Sequence, residues 1–179
     1  MAGVSLRLAT LADATPLRRL IGVSVRTLAR GDYSDVQIKA ALRSAWAVDT
    51  QLIEDGTYFV GEAAGAIIAC GGWSWRRTLF GGDDHLGRQP DVLDPAHDAA
   101  RIPAFFINPQ WARKGIGSRI LLRCEREARA FGFRSLELVA TLPGERFYRA
   151  HGYSGAERRE YALAGGLSIA FVSMRKDLS

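Results

Sequence analysis

Residues 107–130 read INPQWARKGIGSRILLRCEREARA. The apolar run Ala104 to Ile107 leads into them and stops at Asn108-Pro109; a short basic loop follows, and Gly115-Ile116-Gly117-Ser118 opens a long amphipathic helix. The pattern is a strand, a turn and a helix N-terminus. The first backbone N–H groups of a helix have no carbonyl behind them and carry the positive end of the helix dipole, so such a junction suits an anion, phosphate above all. Glycine at 115 and 117 lets a ligand approach main chain that a Cβ would shield. A nucleotide P-loop is excluded, because no two glycines five apart are followed by Lys and then Ser or Thr. A dinucleotide fingerprint is excluded too: Gly115-x-Gly117 supplies two glycines, but position 120 is Ile.

What remains, Ile107-x-Pro109-x-Trp111-Ala112-Arg113-Lys114-Gly115-Ile116-Gly117, resembles the acetyl-CoA pyrophosphate loop of the GNAT superfamily of N-acyltransferases. Downstream, Phe147-Tyr148-Arg149-Ala150-His151-Gly152-Tyr153 resembles that superfamily's second recurring element, F-Y-x-x-x-G-[FY]. The resemblance covers nearly the whole chain and is sharpest from Arg101 to Tyr153. It implies one N-acyltransferase domain over residues 1–179 of the α/β (α+β) class, with a central mixed, mostly antiparallel sheet flanked by helices. The sheet would be splayed between the fourth and fifth strands to admit the pantetheine arm.

The resemblance also assigns roles. Phe105 and Ile107 would pair their backbone with the pantetheine, a main-chain N–H of that strand facing the thioester oxygen. The pyrophosphate would rest on N–H groups between Ala112 and Ser118, which include Gly115, Ile116, Gly117 and Ser118, with Arg113 and Lys114 nearby. Thr141 would hydrogen-bond the arm, and Tyr148 would act as general acid to the departing thiolate. The chain departs from the family's commonest form at four places: Ala112 stands for Arg or Gln, Arg113 for a frequent Gly, Thr141 for a frequent Asn, and Gly144 for a frequent Ala. Acetyl-CoA is the expected cosubstrate, and no metal is expected.

Composition sets the bounds. A chain of 179 residues with 47% hydrophobic and 24% charged residues suits a single globular domain whose core needs no staples. The two cysteines, Cys70 and Cys124, lie in apolar contexts with no C-x-x-C spacing and are expected to be buried thiols, and the three histidines show no metal-ligand spacing. The beginning, MAGVSLRLAT, has no basic and apolar leader pattern, and no apolar run is long enough to span a membrane, so a cytoplasmic protein without membrane association is expected. Lys plus Arg outnumber Asp plus Glu by 24 to 19, but the arginines are dispersed and no basic stripe interleaves aromatics; nucleic acid is not an expected partner. If the chain self-associates, a twofold homodimer is the default.

The remaining elements follow from periodicity. Val4 to Ala9 alternates as a half-buried strand, and a helix capped at Thr10 or Asp13 runs to about Leu28. Ser34-Asp-Val-Gln37 is a capping box for a second helix carrying Ile38, Ala41, Leu42, Ala45 and Trp46 and ending before Asp49. Thr57 to Ala63 and Ala66 to Trp75 form a hairpin, with Trp73 and Trp75 on one face. A long loop with five aspartates occupies about 76–99 and precedes a strand from Arg101 to Ile107. In the helix that follows, Ile116, Ile120, Cys124 and Ala128, widened by Leu121 and Phe131, make the core stripe, and Glu125 to Arg129 is an i, i+4 pair. Ser135 to Ala140 is the fifth strand, a short helix runs from Pro143-Gly144 through Ala150, and Tyr161 to Leu163 with Ser168 to Lys176 closes as a hairpin.

Acetyl transfer from a thioester to an amine needs a neutral amine, and with a lysine-like pKa of ~10.4 only about one molecule in two thousand is neutral at pH 7. It also needs donors aimed at the tetrahedral oxyanion and a proton for the thiolate. Candidates for the base are Glu62, Glu137, Asp83, Asp84, His85, His97 and Asp98, no one of which the sequence singles out. His151, beside Gly152, reads as a helix C-terminal cap. The loop aspartates suggest a cationic acceptor. The expected activity is N-acetylation of a primary amine on a small molecule or peptide; the alternative is a non-catalytic acyl-CoA-binding module.

Overall fold

A computed structural model describes residues 3–79, 81–83 and 91–178. The strands are β1 (Ser5–Leu8), β2 (Tyr58–Ala63), β3 (Ala66–Gly72), β4 (Ala100–Arg101), β5 (Phe106–Ile107), β6 (Ser135–Thr141), β7 (Ser154–Ala162) and β8 (Ser168–Asp177). The helices are α1 (Ala14–Leu28), α2 (Asp35–Ala41), α3 (Thr50–Glu54), α4 (Ile116–Phe131) and α5 (Glu145–Ala150). Two four-stranded sheets run in the orders β1-β2-β3-β5 and β4-β6-β8-β7, every pairing antiparallel except β4 with β6. The expected mixed, mostly antiparallel sheet is thus parted in two, and the chain from 100 to 107 crosses between the halves.

That crossing corrects the single strand expected over Arg101 to Ile107. Pro103 supplies no N–H to a ladder, and the run Ile102 to Phe105 belongs to neither sheet. Three other boundaries move. The second helix stops at Ala41 and continues as turns, Trp46 N–H closing on Ala41 O at 2.8 Å, while α3 forms separately with Asp49 as its cap. The long loop is tied down at its ends: Ser74 bridges Arg101, Arg76 bridges Val92, and Leu93 is buried, its N–H donating to Trp75 O at 2.8 Å. Strand β7 begins at Ser154, seven residues before the expected hairpin arm, because it is an edge strand whose residues are almost all exposed and so carry no apolar alternation.

Helix α4 buries Ile116, Ile120, Leu121, Cys124 and Ala128 as its pattern requires, and both cysteines are buried free thiols. Two details differ from expectation. Phe131 is half-exposed and stacks on Trp75 with ring centres 5.1 Å apart. Glu125 is buried and receives both its bonds from Lys176 of β8, at 2.8 and 2.9 Å, rather than pairing with Arg129; the i, i+4 pair of α4 is Arg123 with Glu127.

The start of α1 is fixed by a buried carboxylate. Asp13 accepts two bonds from Arg7 of β1, at 2.7 and 2.9 Å, and one from the Thr10 N–H at 2.7 Å, while Arg7 also reaches Glu62 of β2 at 2.7 Å. The Arg7 guanidinium holds the Asp13 carboxyl well below the usual carboxylate range. A depressed folded pKa adds stability that is complete above the unfolded value of ~3.9 and is lost as pH falls toward the folded one. Asp13→Asn is therefore expected to cost about 1–2 kcal/mol at pH 7, discounted because Arg7 is partly exposed, with the deficit shrinking below pH ~4. Urea unfolding of both proteins at pH 7 and pH 3 checks this; a deficit equal at the two pH values would refute it.

Candidate functional site

The site lies where the chain between β4 and β5 leaves β6. β4 pairs with β6 at Ala100↔Leu136 and Arg101↔Glu137, whereas β5 pairs with β3 at Ala69↔Ile107 and Cys70↔Phe106. Asn108 donates its N–H to Ile68 O at 2.8 Å, so alternation along an antiparallel strand turns the N–H of Ile107 to the opposite edge. There it donates to Ser24 Oγ of α1 at 3.2 Å. Against this edge opens a cleft of about 430 Å³, a size suited to a small-molecule ligand.

Phe105, Ile107, Arg113, Gly115, Ile116, Gly117, Ser118, Thr141 and Tyr148 all line this one cleft. Lys114 does not: its ammonium lies 4.9 Å from the centre of the Trp111 ring, a cation–π contact on the loop.

One end of the cleft is the 109–118 loop. Asn108 Oδ1 accepts from Gln110 N–H at 3.0 Å and starts a 3-10 turn over Pro109–Trp111. Arg113 and Gly115 then take left-handed conformations, φ 64° and 77°, a sequence of dihedrals that turns successive N–H groups inward around an anion. The first helical bond belongs to Arg119, whose N–H donates to Gly115 O at 3.1 Å, so the N–H groups of Ile116, Gly117 and Ser118 have no carbonyl behind them.

A non-glycine residue in the left-handed region costs roughly 1–2 kcal/mol, which gives the glycine frequent at position 113 of similar loops a physical cause. Arg113→Gly is accordingly expected to leave thermal stability unchanged or raise it by up to ~1 kcal/mol, since glycine returns part of the gain as chain entropy. Removing the one guanidinium that, among the described residues, lines this end of the cleft should also weaken binding of a phosphate-bearing anion there roughly tenfold. Calorimetric titration beside a thermal melt tests both halves, and an affinity that rises with stability would contradict the assignment.

Ser118 is tied to the second sequence element. His151 Nε2 lies 2.9 Å from Ser118 Oγ and Nδ1 lies 2.8 Å from Phe147 O. A carbonyl only accepts, so Nδ1 carries a proton, and in that tautomer Nε2 is the acceptor for the Ser118 hydroxyl. His151 thus makes the expected helix-end bond and also joins α5 to the anion cradle.

Tyr148 stands in an aromatic group, its ring centre 5.0 Å from that of Phe147, 5.7 Å from Tyr153 and 6.2 Å from Phe105. Its hydroxyl has no hydrogen-bond partner among the described residues. Burial, with a smaller contribution from the Cys124 thiol, holds the phenol well above its ordinary pKa. Thr141 Oγ1 accepts from Gly144 N–H at 3.2 Å and keeps its own proton to donate. A Cβ at position 144 would lie 2.8 Å from that oxygen, so Thr141 and Gly144 fit as a pair.

The base candidates are elsewhere. Glu62 receives Arg7, Glu137 pairs with Arg101 and Arg175, Asp83 accepts from the N–H and hydroxyl of Thr50 at 2.9 Å, and His97 pairs with Asp94. Asp98 lies against the Asp94 N–H at 2.9 Å, and Asp84 and His85 fall outside the described residues. Among the described residues no Asp, Glu or His lines the cleft.

The sequence reading missed another end of the cleft, formed by Ser24, Val25 and Leu28 of α1 and by Ala29, Trp46 and Val139. One signal was present: Ser24 interrupts the apolar stripe Leu17, Leu20, Ile21, Val25 and is nevertheless buried. Tyr33 holds this end together, donating its hydroxyl to Ala170 O at 2.8 Å and accepting from Leu142 N–H at 2.9 Å.

Comparison with known proteins agrees with this geometry. The profile of the Acetyltransferase (GNAT) family matches residues 23–153. Among solved structures, the GCN5-related N-acetyltransferase from Rhodopseudomonas palustris superposes with a TM-score of 0.74 at 20% identity, covering 99% of this chain and 98% of that one. The PaiA N-acetyltransferase from Thermoplasma acidophilum in complex with coenzyme A gives 0.66 at 14% identity, covering 98% and 99%. A phosphinothricin acetyltransferase from Sinorhizobium meliloti in complex with acetyl-CoA gives 0.64 at 19% identity, covering 98% and 89%. No curated protein matches the sequence. Among the described residues no helix is long and apolar enough to cross a membrane.

Proposed function

The chain belongs to the GNAT family of acetyltransferases, and from that premise we propose that it transfers the acetyl group of acetyl-CoA to a primary amine of a small molecule or peptide. The observation that carries the reading is the parting of β5 from β6 beside an anion-binding helix start, with the loop, the unpaired strand edge and a buried tyrosine all on one cleft. In this reading the pyrophosphate rests on the N–H groups between Ala112 and Ser118, with Arg113 and Lys114 supplying charge. The pantetheine runs along Phe105 and Ile107, and Thr141 donates a hydrogen bond to it.

The amine nitrogen attacks the thioester carbonyl and loses a proton to water. The oxyanion is met by a main-chain N–H of the 104–107 run, the C–S bond breaks, and Tyr148 donates to the departing sulfur. Ile107 must exchange its long bond to Ser24 to take part. The test is titration of acetyl-CoA into the purified protein, then thiol release with amines added in turn. Tight binding with amine-dependent release is the expected result. Binding without release under any amine would favour the non-catalytic acyl-CoA-binding module, and absence of binding would overturn the reading.

A further inference from the structure

The part of the cleft lined by α1 and Trp46 has a chemistry of its own. Its walls are Val25 and Leu28 of α1, Trp46, Ala104, Phe106 and Val139. The Trp46 indole is 2% exposed and fixed edge-on by Tyr33, ring centres 5.4 Å apart, and by Phe171 at 6.3 Å; the wall is therefore preformed. Ser24 Oγ is a polar point here, and one of its lone pairs already takes the Ile107 N–H. Of the loop aspartates that suggest a cation, Asp83 accepts from Thr50, Asp94 pairs with His97 and Asp98 accepts from the Asp94 N–H, and among the described residues none lines the cleft.

An ammonium brought against such a wall loses its hydration and gains no counter-charge from it, whereas a neutral amine enters without that penalty. An apolar substituent beside the nitrogen gains from the same surface. From these walls we infer that the acceptor is an α-amine carrying a branched or aromatic side chain, bound neutral, in place of the polyamine-like cation that the loop aspartates suggest. At pH 7 about one α-amine in five to ten is neutral, against about one lysine-type amine in two thousand. This inference rests on the acetyltransferase reading above.

The test compares leucine amide, glycine amide, a tripeptide beginning with leucine, and spermidine at equal concentration, reading thiol release and the acetylated product by mass. Leucine amide or the leucyl tripeptide should exceed glycine amide in kcat/KM roughly 10- to 100-fold, the worth of burying one leucine side chain; which of the two leads tells a free amine from a peptide end. Spermidine should fall below both. Leu28 is 42% exposed at the end of α1, so Leu28→Glu should fold, as a thermal melt will show. It should reduce the advantage of leucine amide over spermidine at least tenfold.

Spermidine preferred by the unaltered protein, or a preference indifferent to Leu28→Glu, would overturn the inference and leave the transferase standing. Failure to bind acetyl-CoA at all would instead overturn the transferase reading beneath it.

Discussion

Tyr148→Phe is expected to lower kcat roughly 10- to 100-fold, the value of one hydrogen bond to a developing charge, while acetyl-CoA affinity and the pH profile stay as they are. The size follows from the phenol's surroundings. Burial holds Tyr148 protonated far above neutrality, so it can donate at every working pH. For the same reason it is a poor source of a fully transferred proton, since a thiol of pKa ~8.5 is the stronger acid. Its expected contribution is then a hydrogen bond to the sulfur as charge develops, below the 10²- to 10⁴-fold typical of a matched general acid. Because the hydroxyl has no partner among the described residues, its removal leaves nothing unsatisfied, and stability should change by less than ~0.5 kcal/mol. Pre-steady-state thiol release from pH 6 to 9 decides the matter. Loss of a descending limb in the variant would mean that Tyr148 titrates in that range, and an unchanged rate would remove it from the chemistry.

The features legible in the sequence are those whose signal is local. The helix start at Gly115, the capping box at Ser34-Gln37 and the stripe of α4 each depend on residues within a turn or two, and each stands where periodicity puts it. The same holds for the helix-start end of the cleft, whose lining residues between Trp111 and Ser118 come from one contiguous loop. The apolar part of the cleft was not legible because it is assembled from distant segments: Leu28 from α1, Trp46 from the turns after α2, Phe106 from β5 and Val139 from β6. Trp46 read as one more core position of a helix. It is buried, as expected, but against Tyr33 and Phe171, and it is also one of the residues that line the cleft. The first seven residues of β7 were missed for the reverse reason, since the exposed edge from Ser154 to Glu160 buries almost nothing and leaves no hydrophobic imprint. The division of residues 100–107 between two sheets is likewise a property of the partners β6 and β3, which local pattern does not contain.

Gly117→Val should weaken acetyl-CoA binding roughly 10- to 100-fold, the cost of overpacking a close-fitting site by about 1–3 kcal/mol, without unfolding the protein. Gly117 is the second residue of α4. A Cβ placed there would lie 3.4 Å from the Phe147 ring and 4.0 Å from Ile107 Cδ1. The first methyl is thus accommodated by a small movement of the ring, and Gly117→Ala should be mild. The two further carbons of valine have only the space between Phe147 and Ile107, which is the cleft itself. They would stand over the N–H groups of Ile116, Gly117 and Ser118 and hold a phosphate away from them, an effect that grows with side-chain size while the fold does not suffer. Helix propensity works in the other direction, since valine is a better helix residue than glycine by a few tenths of a kcal/mol, so the melting temperature should hold or rise slightly. Gly115→Ala separates sterics from backbone conformation. Its Cβ meets nothing within 4 Å, but its φ of 77° is strained for any L side chain, so its cost of roughly 1–2 kcal/mol should appear in stability. Stability lost at 115 with affinity lost at 117 is the expected pair; affinity untouched by Gly117→Val would show that the anion does not reach the start of α4.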